Sequence, residues 1–197
     1  MAMTQFTEIQ AIPYNRANAS LRYAIALLQH RVAPTAVPPP GDPIPPEHDP
    51  MLDALSFYLL ADSRLVSYAA ILHKQITHGH ATFWIAGLSC VATDPEYQGQ
   101  GLGSRVVGAA TRYIEQNTID FGIFTCDPPL AGFYWRAGAW AVVEDVVLIG
   151  GHDEGALTSV SLQKVVLMRL FSAKAQAAAS QLRQTVIDLG LPPGQFW

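Results

Sequence analysis

The sequence predicts an α+β domain, a mixed sheet with helices set between some of its strands. Three observations predict it. In the first half, three strand-length apolar runs follow one another across short turn sequences. In the second half, strand and helix patterns alternate. Between the halves lies a glycine-rich stretch, "PEYQGQGLGSRVV" from Pro95 to Val107, that leads from a strand pattern into a helix pattern. The 197 residues are 50% hydrophobic and 14% charged, which suits one domain over residues 1–197 with a real core.

In chain order, Phe6 to Ile12 reads as a short strand. Asn15 to His30 reads as a helix, with Leu21, Ile25 and Leu28 at spacings of four and three. From Pro34 to Pro50, eight of seventeen residues are proline, so neither a helix nor a central strand runs through. A long ordered loop is expected there. Ser56 to Ala61, Arg64 to Ile76 and Ala81 to Thr93 read as an antiparallel meander turning at "ADSR" and "THGH". Ser104 to Gln116 is a helix with Val106, Val107, Ala110, Tyr113 and Ile114 on one face. Phe121 to Thr125 is a short buried strand, and Leu130 to Ala137 a short helix closed by Gly138. Trp140 to Ile149 and Ser159 to Leu170 read as strands. The alanine-rich run from Ala173 to Asp188 reads as a helix closed by Gly190 and Pro192, within a C-terminal segment 173–197.

Composition narrows the function. A net charge of −4 argues against a nucleic-acid binder. No run of 18 apolar residues is present, and the N-terminus lacks the pattern of a secretory signal, so no membrane partner is expected. Cys90 and Cys126 have no CxxC spacing and read as reduced core thiols of a cytoplasmic protein. No His/Cys/Asp group has metal-ligand spacing, so no metal is expected.

Gly99, Gly101 and Gly103 alternate immediately before a helix. A helix N-terminus offers unpaired N–H groups and partial positive charge, and glycine lets an anion approach the backbone. On spacing alone two readings stay open, a pyrophosphate cradle and a glycine-softened turn. A P-loop lysine is missing. The GxGxG spacing and the intervening Asp94-Pro95-Glu96-Tyr97 do not suit a dinucleotide fold.

"VATDPEYQGQGLGSRVV" resembles the acetyl-CoA signature of the GNAT N-acetyltransferase superfamily, with Gln98-Gly99-Gln100-Gly101-Leu102-Gly103 meeting its Gln/Arg-x-x-Gly-x-Gly/Ala pattern. A second stretch, "CDPPLAGFYWRAGAW" from Cys126 to Trp140, is similar to the family's later Phe-Tyr helix. The resemblance covers Ala81 to Leu148 by motif and the elements before it by architecture. It implies a mostly antiparallel twisted sheet flanked by helices, with a splayed parallel pair, Leu88–Thr93 and Phe121–Thr125, holding acetyl-CoA as co-substrate. On this resemblance the backbone of Val91, Ala92 and Thr93 receives the pantetheine arm, and Gln98 through Ser104 the pyrophosphate. Asp127 and Phe133 join the cofactor site. A substrate amine attacks the thioester directly, and Tyr134 protonates the leaving thiolate.

The resemblance does not supply a base. Many relatives carry a glutamate on the strand before the glycine loop, whereas Trp84 to Thr93 contains no acid and Ser89 stands about where one would sit. Glu144, Asp145, His78 and His80 are the alternatives. Ser89, Trp84 and Trp197 are expected on the substrate side. The closing "GLPPGQFW" resembles the aminoglycoside 2′-N-acetyltransferase branch, in which a terminal carboxylate faces the substrate; a hydrophobic plug formed by Phe196 and Trp197 is the favoured alternative. The expected partner is a small-molecule amine, and a homodimer stays open. So do two other functions, a CoA-binding sensor without the base and an acetyltransferase for protein or peptide amines.

Overall fold

A computed structural model describes residues 5–33 and 46–197. The proline-rich loop expected over 34–50 falls outside these up to residue 45. The chain forms two compact units, residues 1–72 with 88–110 and residues 73–87 with 111–197.

The first unit holds β1 (Gln10–Pro13), α1 (Ala19–Val32), β2 (Leu55–Ala61), most of β3 (Arg64–His78), the last part of β4 (Ala81–Thr93) and most of α2 (Leu102–Glu115). Its strand order is β1-β2-β3-β4. β1 runs antiparallel to β2 with Gln10 opposite Tyr58, and β2 antiparallel to β3 with Leu55 opposite Ile71. The expected first strand is shorter than its sequence pattern: Phe6 makes only an isolated bridge to Ala61, and the ladder begins at Gln10. The first helix also starts later than expected. Asn18 is its N-cap, its side chain accepting from the Leu21 N–H at 2.8 Å, while Tyr14–Arg16 forms a separate 3₁₀ turn. Ile25 and Leu28 are buried at helical spacing, as are Val106 and Val107 on α2, while β3 is buried on both faces from Leu65 to Leu72. Asp94 N-caps the turn after β4, and α2 begins two residues earlier than its sequence pattern indicates.

The second unit holds the end of β3, the start of β4, and β5 (Phe121–Cys126), α3 (Ala131–Gly138), β6 (Ala141–Val142), β7 (Val146–Ile149), β8 (Val165–Leu170), α4 (Ala173–Ala177) and β9 (Thr185–Asp188). Its strand order is β3-β4-β5-β8-β6, with a separate pair β7-β9. β4 and β5 are parallel, as expected, but the ladder has only two rungs, Ile85 to Phe121 and Ala86 to Gly122. β5 pairs antiparallel with β8 along its whole length. Trp140 fills the core beneath β5, edge-on to Phe124 at 4.9 Å, and its indole N–H donates to Thr111 Oγ1 at 2.9 Å. A Cβ on Gly122 would lie 2.4 Å from the Trp140 ring, so this glycine is required by packing. Tyr113, expected on the buried face of the second helix, is instead 43% exposed.

Three expectations are corrected in this unit. The run Trp140–Ile149 is two strands, because Glu144-Asp145 interrupts it and Asp145 is held by Arg183 through both carboxylate oxygens, at 2.7 and 2.9 Å. The run Ser159–Leu170 is a strand only from Val165. Before it, Thr158 and Ser161 close a turn by reciprocal bonds, and Gln163 adopts a left-handed φ of 54°. The alanine-rich helix ends after five residues, and Thr185–Asp188 forms β9, parallel to β7. Alanine favours the helix but gives it little apolar surface to bury. The β-branched Thr185-Val186-Ile187 suits a strand, and tertiary pairing overrides local propensity.

Candidate active site

In the first unit, the stretch from β4 into α2 is set up by one buried carboxylate. Asp94, 1% exposed, takes ion pairs from Arg31 and Arg64, the latter at 2.6 Å, and caps Glu96 N–H at 3.1 Å. Arg64 reaches on to Glu96 at 2.9 Å. The Asp-Pro pair makes this cap legible, since aspartate favours a turn start and proline its next position; the two arginines carry no local signal. Beyond the turn, Gln98 donates its side-chain amide to the Thr93 carbonyl at 3.1 Å, closing the loop onto the strand end.

Gly99 and Gly101 have φ of +76° and +77°, and a Cβ built on either meets nothing within 4 Å. Their conformation therefore comes from the backbone's path, not from crowding by the protein. Left-handed glycines just before a helix N-terminus are a backbone setting in which an anion can approach closely. Gly103 lies inside α2, without left-handed backbone. Gln98, Gly99, Gln100, Gly101 and Ser104 are exposed, whereas the Leu102 and Ala92 side chains are buried. Thr93 Oγ1 pairs with Ser67 at 2.9 Å, so this hydroxyl is engaged within the protein.

β4 also carries a feature that sequence reading missed. Cys90 has φ of +51°, a conformation few non-glycine residues hold, and its carbonyl accepts from the Gln29 side-chain amide at 2.7 Å. Its thiol contacts the Glu47 carboxylate at 3.6 Å, and Ser89 Oγ lies 3.5 Å from the same sulfur. Burial pushes the Cys90 thiol up to about 12. Glu47 N–H donates to the Tyr14 hydroxyl at 3.0 Å. The next residue, His48, is buried edge-on to Tyr14, and its Nε2 pairs with Tyr68 at 2.8 Å; Tyr68 in turn pairs with Ser56 at 2.9 Å. Burial lowers the His48 pKa to about 4 and raises that of Tyr68.

In the second unit, Tyr134 on α3 is 7% exposed and meets Phe124 of β5 edge-on at 5.1 Å. On this helix Tyr134 is packed, whereas Trp135 is 60% exposed. Phe133 leans on Tyr134 at 5.0 Å. Asp127 is exposed and paired with Lys164 at 2.6 Å. Trp84 is half-exposed, and its backbone exchanges two hydrogen bonds with Asp120, whose N–H bonds the Trp84 carbonyl at 2.7 Å. Burial raises the Asp120 pKa, but bonds from Ser172 and Trp84 and the charge of Lys174 outweigh it and hold the carboxyl below its ordinary range.

Trp197 is buried in this unit. Its indole N–H donates to the Ile123 carbonyl at 3.0 Å, its main-chain oxygen accepts from Thr125 Oγ1 at 3.0 Å, and Gly87 leaves the room it fills. The indole thus takes up the β5 carbonyl one residue beyond the last rung with β4. Two of the proposed bases are engaged structurally: Asp145 holds Arg183, and His78 Nε2 lies 3.0 Å from the Gln181 carbonyl. Among the described residues no group of three or more His, Cys, Asp or Glu is placed to hold a metal, and no helix is long and apolar enough to cross a membrane.

Comparison with known proteins bears on the same stretch. A search of curated protein sequences gives no match. Among solved structures, Escherichia coli ElaA superimposes with a TM-score of 0.57 at 16% identity, over 85% of this chain and 99% of that one. An acyl-CoA N-acyltransferase from Pseudomonas aeruginosa gives 0.56 at 17% identity, over 84% and 99%. An aminoglycoside acetyltransferase from an uncultured soil metagenomic sample gives 0.50 at 15% identity, over 68% and 86%. These likenesses establish the fold. The model of the acetyltransferase (GNAT) family matches residues 25–139, more than half of the chain and inclusive of both the glycine loop and α3. The chain belongs to the GNAT acetyltransferase family, whose members use acetyl-CoA.

Proposed function

We infer that the protein transfers an acetyl group from acetyl-CoA to a primary amine of a small molecule, in the cytoplasm, by direct attack of the amine on the thioester. The observation that carries this reading is the pair of left-handed glycines ahead of α2, whose added side chains would meet open space. Open space on that side of the backbone leaves room for a pyrophosphate at the helix N-terminus, and the loop lies within the stretch matched by the family model. When bound, acetyl-CoA supplies the activated acetyl group. The chain's own groups bind and orient it: N–H groups of residues 99–104 at the pyrophosphate and main-chain groups of Val91 and Thr93 at the pantetheine. Tyr134 carries a phenol that can give up a proton, and it is the proton donor to the departing thiolate. Its burial also gives it a packing role, so the phenylalanine variant is the informative one, since it keeps the ring.

The test is a pair of measurements on the full chain. Acetyl-CoA is expected to raise the melting temperature. Thiol release is expected with at least one amine among spermidine, tyramine, glucosamine and kanamycin. Gly101→Leu should lower acetyl-CoA affinity at least tenfold; the leucine meets no neighbour but strains the backbone at φ of +77°, so the variant's own melting curve without ligand checks that it is folded. Tyr134→Phe should slow release and leave the thermal shift intact. A thermal shift with no thiol release for any amine favours a CoA-binding sensor instead.

A further inference from the structure

We propose that Glu47 is the carboxylate that receives the substrate's ammonium group and takes its proton, a role that rests on the acetyl-transfer reading above. An amine with a pKa of about 10 is protonated at neutral pH and has no lone pair for attack. The reaction therefore needs a base, and β4 contains no acid from Trp84 to Thr93. The structure brings one to that strand from elsewhere in the sequence. Glu47 contacts Cys90 at 3.6 Å, and Ser89, the residue standing where an acid is missing, contacts the same sulfur at 3.5 Å. The acid thus reaches β4 at its one distorted residue, where φ is +51°.

Three features make Glu47 fit the role. It is half-buried, and among the described residues no Lys, Arg or His forms a salt bridge with it. A thiol held neutral by burial is a weak donor, so the carboxylate oxygens keep their capacity for a stronger donor such as an ammonium. Its position is fixed from both sides, by its own N–H on Tyr14 and by buried His48 on Tyr68. The titratable groups around it are Tyr14 ahead of α1, His48 on its own segment, Tyr68 on β3 and Cys90 on β4, with Arg22 of α1 acting on Tyr14.

The step balances as follows. The ammonium gives one proton to Glu47. The free amine nitrogen bonds to the thioester carbonyl carbon, and the carbon–sulfur bond breaks. The second nitrogen proton offsets the one delivered to the thiolate, and Glu47 returns its proton to solvent. The products are an amide, CoA thiol and one proton.

Glu47→Gln keeps size and shape, and the thermal shift with acetyl-CoA checks that it is folded. At pH 7, with whichever of the four amines turns over, its kcat/KM is expected to fall at least about a hundredfold. The deficit should shrink as pH rises toward 10, because bulk hydroxide then deprotonates the amine. Glu47→Asp should recover part of the rate, whereas Cys90→Ala should cost far less than Glu47→Gln. Unchanged kcat/KM for Glu47→Gln at pH 7, or a loss that is constant from pH 7 to 10, overturns the role of Glu47 alone. A parent that binds acetyl-CoA yet releases no thiol with any of the four amines overturns both this proposal and the acetyl-transfer reading.

Discussion

His48 is buried with its imidazole neutral, and burial is what lowers its pKa to about 4. The unfolded chain holds an ordinary histidine near pH 6.5. Between those values the unfolded state binds the proton and the folded state does not, so stability falls as pH drops from about 6.5 toward 4 and is unaffected by this group above that range. The full penalty is about 3 kcal/mol, from roughly 1.4 kcal/mol per pH unit. Urea unfolding at pH 7 and pH 4.5 should show a smaller acid-induced loss in His48→Gln than in the parent. An equal loss in the two would show that the imidazole is protonated in the folded state. Residue-scale chemistry of this kind was only partly legible. The glycines announce themselves through their spacing, and Tyr134 through its neighbours Phe133 and Trp135. Glu47 has no signal, since it lies within the proline-rich stretch and meets Cys90 only 43 positions further along the chain.

Elements whose pattern is set by their own burial were readable: β2, β3, β4 and β5 fall within a residue or two of their apolar runs. Those whose fate depends on a distant partner were not. Nothing local says that Arg183 will clamp Asp145, or that Thr185 N–H will bond the Asp145 carbonyl at 3.1 Å, yet these contacts place β9 beside β7. Asp145→Ala should therefore release β9 while leaving β5 and β8 intact. Amide hydrogen exchange is the measurement, with faster exchange expected at 185–188 and unchanged protection at 121–126. At α1, Asn18→Ala removes a cap and should cost about 1 kcal/mol in unfolding free energy. Close packing sets another limit: Gly122→Ala pushes a Cβ into Trp140 and should destabilise the chain by about 1–3 kcal/mol or more.

At the scale of the whole molecule, the α+β class and the mixed sheet followed from the order of strand and helix patterns, because alternating hydrophobicity is a local record of which face is buried. The family followed from two motifs in one order. What the chain acts on did not, because the residues expected to meet an amine sit in the least patterned segments: the first helix, the proline-rich loop, the turn of the meander and the tail. The structure moves one of them, Trp197, firmly into the second unit as a docked side chain.

The state of the two cysteines reaches beyond folding, into how the reaction can be watched. Burial pushes Cys90 up to about 12 and Cys126 up to about 11. Aromatic disulfide dyes consume thiolate, and at pH 8 such groups offer on the order of one thiolate per thousand or fewer. Free CoA, with an ordinary exposed thiol, offers orders of magnitude more. The native protein should thus be almost colourless to the dye, and should show two reactive thiols once denatured. A rapid colour burst from the native chain would show that one thiol is open to solvent. In its absence the enzyme is its own optical blank, and every absorbance change counts a turnover.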